Sequence, residues 1–376
     1  MIGTPGFVGA RLVQARKARG LSSIALAEMI GLKSAVTISQ YEHGKHSPPP
    51  EVLDAISQKL NRPRSFFLRP VRKRDQDGRW YRSFSAATKA ARERAEVRFD
   101  WLRDLTDYLR GFLDFPRVNL PNVGHFDRVE IITTDQIEDA AKTAREFWML
   151  GDGPVADVAL LLENNGVIVS RGELGSENLD AFSQWPEDDD RPYVFLGADK
   201  GSAVRSRFDG LHELGHILLH RHVDRRVLRK SDTYRQMEQQ CHRFALAFLL
   251  PPERFSKDLW SPTLNSFLAL KPHWKVAIQA MVIRCEQLGI LPEDHKLWIN
   301  IGRRGWRKKE PYDDEFRPEM PRLLRRSIEM LIENGIKTKE QILVDLATTS
   351  PDLEPLACLP PGYLEWSDQK ILRFRN

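Results

Sequence analysis

Cysteine is scarce in this chain of 376 residues, and the three cysteines lie far apart. Cys241, Cys285 and Cys358 are odd in number and form no CxxC pair, so they give neither a disulfide framework nor a cysteine-based metal knuckle. The sequence also lacks any apolar run of about eighteen residues, and its start lacks the basic segment and apolar run of a secretory signal. These absences predict a soluble cytoplasmic protein with unpaired thiols and no membrane partner.

Charge is distributed unevenly in a composition that is otherwise typical of a globular protein. Hydrophobic residues make up 41% and charged residues 29% of the chain, and its length exceeds the usual size of one core, so we expect two or three domains. Residues 1–74 hold thirteen Lys or Arg and four Asp or Glu, a net charge of +9, whereas the whole chain carries +5. A basic N-terminal part before an acidic body indicates nucleic-acid contact at one end.

Helical periodicity dominates the chain, and a mixed stretch lies in its middle. Five short helices are predicted first, at residues 7–19, 24–30, 34–42, 51–60 and 65–68. Polar helices follow over 83–114, and the central part combines two strands with two long helices, at residues 166–170, 193–196, 202–221 and 234–250. The predicted fold class is α+β, mainly helical. Its parts are an N-terminal five-helix domain, a helical connector, a mixed central domain and a C-terminal mixed region, at residues 1–70, 71–134, 135–290 and 291–376.

The sharpest motif is His212-Glu213-Leu214-Gly215-His216. Two histidines four residues apart lie on one face of a helix and can bind one metal ion. The carboxylate of Glu213 is close enough to take a proton from a water at that metal. Both histidines continue an apolar stripe, so their rings are predicted to face the core. The alternative is a pair of core histidines that are satisfied by hydrogen bonds.

The next predicted helix supplies a third candidate ligand. Glu238 lies one turn before Cys241 on an apolar stripe, and an inward carboxylate is costly unless it is paired or binds a metal. His212, His216 and Glu238 therefore predict a zinc site with a fourth position open to water. His242 lies on the same side, where it either contacts a ligand or faces solvent. Two further histidines are predicted to face solvent, His220 and His222.

Residues 205–220 and 238–251 resemble the ImmA/IrrE metallopeptidase family, a gluzincin-like group. Residues 191–196 and 270–279 are also similar to family segments, so the resemblance extends over about residues 136–290. It implies a zincin core with a small sheet, and zinc ligands at the three positions named above.

Two departures from the family pattern leave those ligands intact. The family often has Ala-Asn where this chain has Cys241-His242, and Ala where it has Leu211. The group that stabilises the oxyanion of the transition state is left open by the sequence. The candidates are Arg205, Arg207 and Tyr234.

Residues 20–31 and 38–45 resemble the Xre/Cro-type helix-turn-helix family. The resemblance implies that the third helix enters the major groove of double-stranded DNA and that a basic residue meets phosphate. The implied contacts are Ser34, Ala35, Thr37, Gln40 and Lys45. The spacing from Gly31 to Gly44 is one residue longer than is usual for the family. The alternative is a small helical bundle that docks on a protein, and the formation of a homodimer stays open.

These features predict a DNA-associated regulatory zinc metalloendopeptidase with Glu213 as general base. The predicted substrate is a protein, and the resemblance implies a partner repressor in stress or mobile-element control. Two alternatives remain open. A transcriptional regulator whose metal is structural or sensory, with no turnover, does not need Glu213. A DNA-binding antitoxin leaves the inward-facing ligand set unexplained.

Overall fold

The computed structural model describes residues 3–72, 88–175, 179–199, 202–224, 231–292 and 294–365. These ranges are mainly helical and include one small sheet, which confirms the predicted α+β class. Within the same ranges, no helix has the length and apolar character needed to cross a membrane.

The N-terminal part consists of four α-helices and a 3-10 helix, close to the five predicted helices. They are α1 (Gly9–Ala18), α2 (Ser23–Met29), α3 (Ala35–Glu42), α4 (Pro50–Lys59) and the 3-10 helix Arg64–Leu68. Ser22 and Ser34 cap α2 and α3 by accepting hydrogen bonds from their free N–H groups. Arg16 of α1 donates to both carboxylate oxygens of Glu42, at 2.6 and 3.0 Å, and so holds α1 against α3.

Helix α5 (Lys89–Arg110) contacts both the N-terminal part and the central sheet. It lies within the predicted connector, of which residues 83–87 fall outside the described residues. Trp101 packs edge-on against Phe66 of the 3-10 helix. Phe99, half a turn away, packs against aromatic rings of the sheet. One helix therefore supports two parts of the chain.

The central part packs seven helices of the described chain around a three-stranded sheet. The helices are α6 (Thr134–Phe147), α7 (Val158–Asn164), α8 (Ala203–Leu219), α9 (Ser231–Leu249), α10 (Pro252–Asp258), α11 (Leu264–Trp274) and α12 (Ile278–Gln287). The strands are β1 (Ile168–Gly172), β2 (Ala181–Gln184) and β3 (Tyr193–Gly197). Strand β3 lies in the middle, parallel to β1 and antiparallel to β2. The sequence did not predict β2, because four residues are too few for a clear alternating pattern.

The described residues after 291 form helices and no strand, where the sequence predicted a mixed region. The helices are α13 (Leu297–Arg303), α14 (Leu323–Glu333), α15 (Lys339–Leu346) and α16 (Ser350–Leu356). Of these, only α14 was predicted.

Three glutamates join this C-terminal region to the central part by capping helices from a distance. Glu310 accepts from the first N–H groups of α12, and Glu319 accepts from those of α7. Glu163 of α7 in turn accepts from the first N–H groups of α14. Glu310 also pairs with the fully buried Lys271 at 2.8 Å, and Glu319 pairs with Arg207 of α8. The C-terminal region is thus an integral part of the fold.

The same region also docks on the N-terminal part. Asp352 accepts two hydrogen bonds of 2.7 Å from Arg19 and lies 3.0 Å from Arg62. Arg62 also donates to the hydroxyl of Thr348 at 2.7 Å. These contacts bring residues near both ends of the described chain into one interface.

The sheet separates two hydrophobic cores. Phe182, Tyr193 and Phe195 point into a core shared with α5, the N-terminal helices and the C-terminal helices. Val194 and Leu196 point into the second core, which contains α8 and α9. The alternation of side chains along β3 therefore assigns one face to each core.

Candidate metal centre

Helices α8 and α9 lie side by side and bring the predicted ligands together. Gly215 permits this approach, because a Cβ atom there would lie 3.3 Å from the Cα and Sγ atoms of Cys241. His212 and His216 are buried on the face of α8 that the apolar stripe predicts. Glu238 of α9 faces both rings and is partly buried.

The ligand atoms of these three residues converge. His212 Nε2 lies 3.1 Å from His216 Nε2, and the two oxygens of Glu238 lie 3.3 and 3.4 Å from these nitrogens. Bonds of about 2.0 Å to zinc at tetrahedral angles separate two ligand atoms by roughly 3.3 Å. Burial opposes ionisation of Glu238, but His212 and His216 outweigh it and hold the pKa of this carboxyl well below its usual range.

One atom of this group is unsatisfied in a way that fits a cation. Glu238 Oε1 is buried and accepts no hydrogen bond from any residue that the structure describes. Buried carboxylate oxygens rarely lack a partner, and a metal ion supplies one. Two core histidines satisfied by hydrogen bonds would not require such an atom beside them. The donor set, two imidazoles and one carboxylate, is one that zinc accepts.

Glu213 lies next to this group and is almost fully buried. The hydroxyl of Ser183 on β2 donates to Glu213 Oε2 at 2.6 Å. Burial raises the pKa of Glu213 to about 7, against the opposing effects of His212 and Ser183. Sequence reasoning missed Ser183, because strand β2 was itself not predicted.

A second ring of contacts fixes the ligand His216. Its Nδ1 lies 3.2 Å from the Sγ atom of Cys241, which in turn lies 3.4 Å from His220 Nδ1. His220 Nε2 is 2.8 Å from the amide oxygen of Gln240. The prediction that His220 faces solvent is wrong: the side chain is fully buried, and burial lowers its pKa to about 3. His222 is exposed, as predicted.

His242 lies at the exposed edge of the site. Its ring centroid is 4.8 Å from that of His212, so it contacts a predicted ligand although it faces solvent. Two other groups of possible ligands overlap the predicted one, His212 with His216 and Cys241, and His212 with Glu238 and His242. Burial raises the pKa of the Cys241 thiol well above its usual value, which disfavours the thiolate form that binds metal.

The three oxyanion candidates have different surroundings. Tyr234 is hydrogen-bonded to Glu238, so its hydroxyl lies at the site. Arg207 is buried and engaged with Glu319 and with backbone carbonyls. Arg205 is exposed on α8. Of the three, Tyr234 is the one that the contacts connect to the ligands.

The predicted DNA contacts surround helix α3. Ser34 is exposed and caps the helix, and Lys45 is exposed just after it. Ala35, Thr37 and Gln40 are partly exposed along the helix itself. The outer face of α3 is therefore accessible within the described chain.

Two family models match separate parts of the chain. Residues 162–286 match the IrrE N-terminal-like domain, a peptidase family, and residues 12–67 match the helix-turn-helix family. The chain joins a helix-turn-helix domain to an IrrE-like peptidase domain. The IrrE-like domain contains Glu213, Ser183 and all three predicted ligands. No curated protein matches the chain.

Proposed function

We propose that this protein is a DNA-associated zinc metalloendopeptidase that hydrolyses a peptide bond in a transcriptional repressor, in stress or mobile-element control. One observation carries the peptidase part. The ligand atoms of His212, His216 and Glu238 lie 3.1 to 3.4 Å apart, beside the buried carboxylate of Glu213. The IrrE-like match over residues 162–286 supports the same chemistry.

His212, His216 and Glu238 would hold the zinc ion. When bound, zinc supplies Lewis acidity, which polarises a peptide carbonyl and lowers the pKa of water. Glu213 takes the proton of the attacking water and then passes it to the leaving amine. This role needs a carboxylate oxygen beside the ligands, and the family motif puts one directly after His212.

Two further residues assist this chemistry. The Ser183 hydroxyl fixes the orientation of the Glu213 carboxylate through the 2.6 Å hydrogen bond. Tyr234 donates its O–H to the substrate oxygen as negative charge develops there. Burial, and then the charge of Glu238, raise the pKa of Tyr234 above its ordinary value, so the hydroxyl keeps its proton.

The helix-turn-helix domain would bring the peptidase to DNA. Ser34, Ala35, Thr37 and Gln40 would face bases, and Lys45 would meet phosphate. The net charge of +9 over residues 1–74 supports phosphate contact.

The test is Glu213→Gln in the full chain, because glutamine keeps the size of the side chain and removes the base. Wild-type and variant cells are compared for new protein N-termini under inducing stress. At least one cleavage product should depend on wild type, and its formation should fall by about 10²–10⁴-fold in the variant. Zinc content should stay unchanged. The control, Glu146→Gln, removes an exposed carboxylate elsewhere and should cleave normally.

A regulator whose metal is sensory is the second candidate. One observation favours it: the thiol of Cys241 lies 3.2 Å from His216 Nδ1, as an oxidisable group beside a ligand would. This candidate predicts the same set of N-termini in wild type and Glu213→Gln. Identical sets under every stress tested would therefore reject the peptidase and favour the sensor.

A further inference from the structure

A cavity of about 310 Å³ lies where the helix-turn-helix domain, α5 and the C-terminal helices meet. Arg62 and Phe66 line it from the first, Trp101 from the second, and Leu353 and Leu356 from the third. Pockets that bind small molecules in proteins have volumes of about 300–1,000 Å³. None of the proposed zinc ligands lines this cavity.

Two buried donors in the cavity wall are unsatisfied. Arg62 is 4% exposed and Trp101 is 8% exposed. Arg62 Nη2 and Trp101 Nε1 donate no hydrogen bond within the part of the chain that the structure describes. The two side chains are neighbours, because the Arg62 guanidinium lies 3.6 Å from the Trp101 ring centroid. Buried donors are nearly always paired, so two adjacent orphans in a cavity wall indicate a missing acceptor.

The charge of the cavity wall indicates that the acceptor is an anion. Four arginines and two aspartates line the cavity, namely Arg11, Arg62, Arg69, Arg72, Asp104 and Asp345. Burial, and then Arg19 and Arg11, lower the pKa of Arg62 to about 9, although Asp352 opposes them. A buried cation that one carboxylate compensates only in part gains from a second negative group.

The rest of the wall is apolar. Phe66, Leu105, Leu353 and Leu356 face the same space. These side chains suit a ring or a short hydrocarbon, while Arg62 and Trp101 suit a carboxylate or a phosphate.

We propose that this cavity binds a small organic anion whose acidic group accepts hydrogen bonds from Arg62 Nη2 and Trp101 Nε1 and whose apolar body packs on Phe66 and Leu353. The ligand contacts all three parts that meet there. Its binding therefore strengthens the docking of the C-terminal helices on the helix-turn-helix domain. The inference is independent of the metal centre, since the two sites share no residue.

Calorimetric titration of the full chain tests the proposal with four probes: phenyl phosphate, benzoate, inorganic phosphate and neutral benzyl alcohol. We expect saturable binding of one aryl anion per chain, and weak or no binding of the other two probes. Whichever aryl anion binds more tightly identifies the acidic group as phosphate or carboxylate.

Two variants and one control make the test specific. Trp101→Phe keeps an aromatic ring and removes the N–H donor, and Arg62→Met removes the guanidinium. Each should weaken binding by at least about tenfold, the loss expected for a hydrogen bond to a charged group. Arg64→Met removes an exposed arginine two residues from Arg62, outside the cavity, and should bind as wild type does.

Several outcomes would overturn the proposal. Absence of saturable binding by both aryl anions would reject the site. Unchanged affinity in Trp101→Phe would reject the donors, and this variant decides the test if Arg62→Met does not fold. Equal binding of benzyl alcohol would reject the anion, and equal binding of inorganic phosphate would reject the apolar body.

Discussion

At the scale of single residues, His216 decides which ligand set is used. Its Nε2 faces Glu238, and its Nδ1 faces Cys241. One imidazole nitrogen binds a metal while the other is held by a neighbouring group, so the two sets exclude each other. The carboxylate is favoured, because it is ionised and has an unsatisfied oxygen, whereas the thiol is fully buried and protonated.

Metal analysis of three variants tests this choice. We expect about one zinc per chain in wild type, and little in His216→Ala or Glu238→Gln after dialysis, because each loses one of three ligands. Cys241→Ala should still bind one zinc at saturating metal, with an affinity reduced by at most about 10–100-fold. Retention of zinc by Glu238→Gln together with its loss from Cys241→Ala would assign the site to the thiol.

DNA binding depends on single basic residues in a way that salt reveals. Lys45→Ala should weaken binding of the full chain to duplex DNA and reduce the slope of log affinity against log salt by about one. Fluorescence anisotropy over a range of salt concentrations measures both. Lys142→Ala, which removes an exposed lysine of α6, is the control. An unchanged slope in Lys45→Ala would favour the bundle that docks on protein.

At the scale of elements, the fold depends on glutamates that cap helices distant in sequence. Glu163, Glu310 and Glu319 accept from the first N–H groups of α14, α12 and α7. The positive end of a helix favours such a carboxylate, but burial opposes its charge. The balance differs from site to site, and at Glu163 burial prevails and raises the pKa to about 7.

Glu163 should therefore make stability depend on pH. Its pKa is about 7 in the folded chain and 4.5 as its ordinary value, so the folded chain holds a proton that the unfolded chain releases. The stabilisation is complete below about pH 4.5 and is lost as pH rises to about 7, in total about 3 kcal/mol. Glu163→Gln keeps the acceptor oxygen and cannot ionise. Its free energy of unfolding should gain on wild type by that amount between pH 4.5 and pH 8.

Denaturant unfolding of both chains at several pH values measures this difference. Glu146→Gln, which removes an exposed carboxylate, should run parallel to wild type. A constant difference between Glu163→Gln and wild type across the range would contradict the raised pKa.

The sequence predicts elements well where periodicity is long and poorly where contacts are remote. Helix α14 and the two helices of the metal centre follow from their apolar stripes, and so do the three ligands. Strand β2 and helices α15 and α16 are too short for a stripe to be clear. Ser183 and the buried state of His220 depend on neighbours from other elements, which no local pattern specifies.

At the scale of the whole molecule, the C-terminal helices contact both the peptidase part and the helix-turn-helix domain. Arg207 and Lys271 bind glutamates of this region on one side, and Asp352 binds Arg19 and Arg62 on the other. Together with α5, these contacts make the DNA-binding and peptidase parts one packed body within the described residues. A signal that alters this interface therefore reaches both parts.

Asp352→Asn tests the docking. The variant leaves the buried Arg62 without its carboxylate, which costs about 3–5 kcal/mol for a buried pair. Hydrogen exchange of helices α1 to α4 in the full chain should show a loss of that size in the free energy of opening. Asp54→Asn breaks the exposed pair with Arg64 and should cost less than about 1 kcal/mol. Equal protection in both variants would show that Asp352 does not hold the domain.

The contact between Arg19 and Asp352 spans 333 positions of the chain, and this distance has a meaning in time. A ribosome that adds about 5–20 residues per second needs roughly 15–70 s to travel from one to the other. Throughout that interval the nascent helix-turn-helix domain has left the ribosome with its docking surface uncovered, including Arg62 and Phe66. Synthesis rate and chaperone supply therefore set how often the two ends of this interface meet before the early one aggregates.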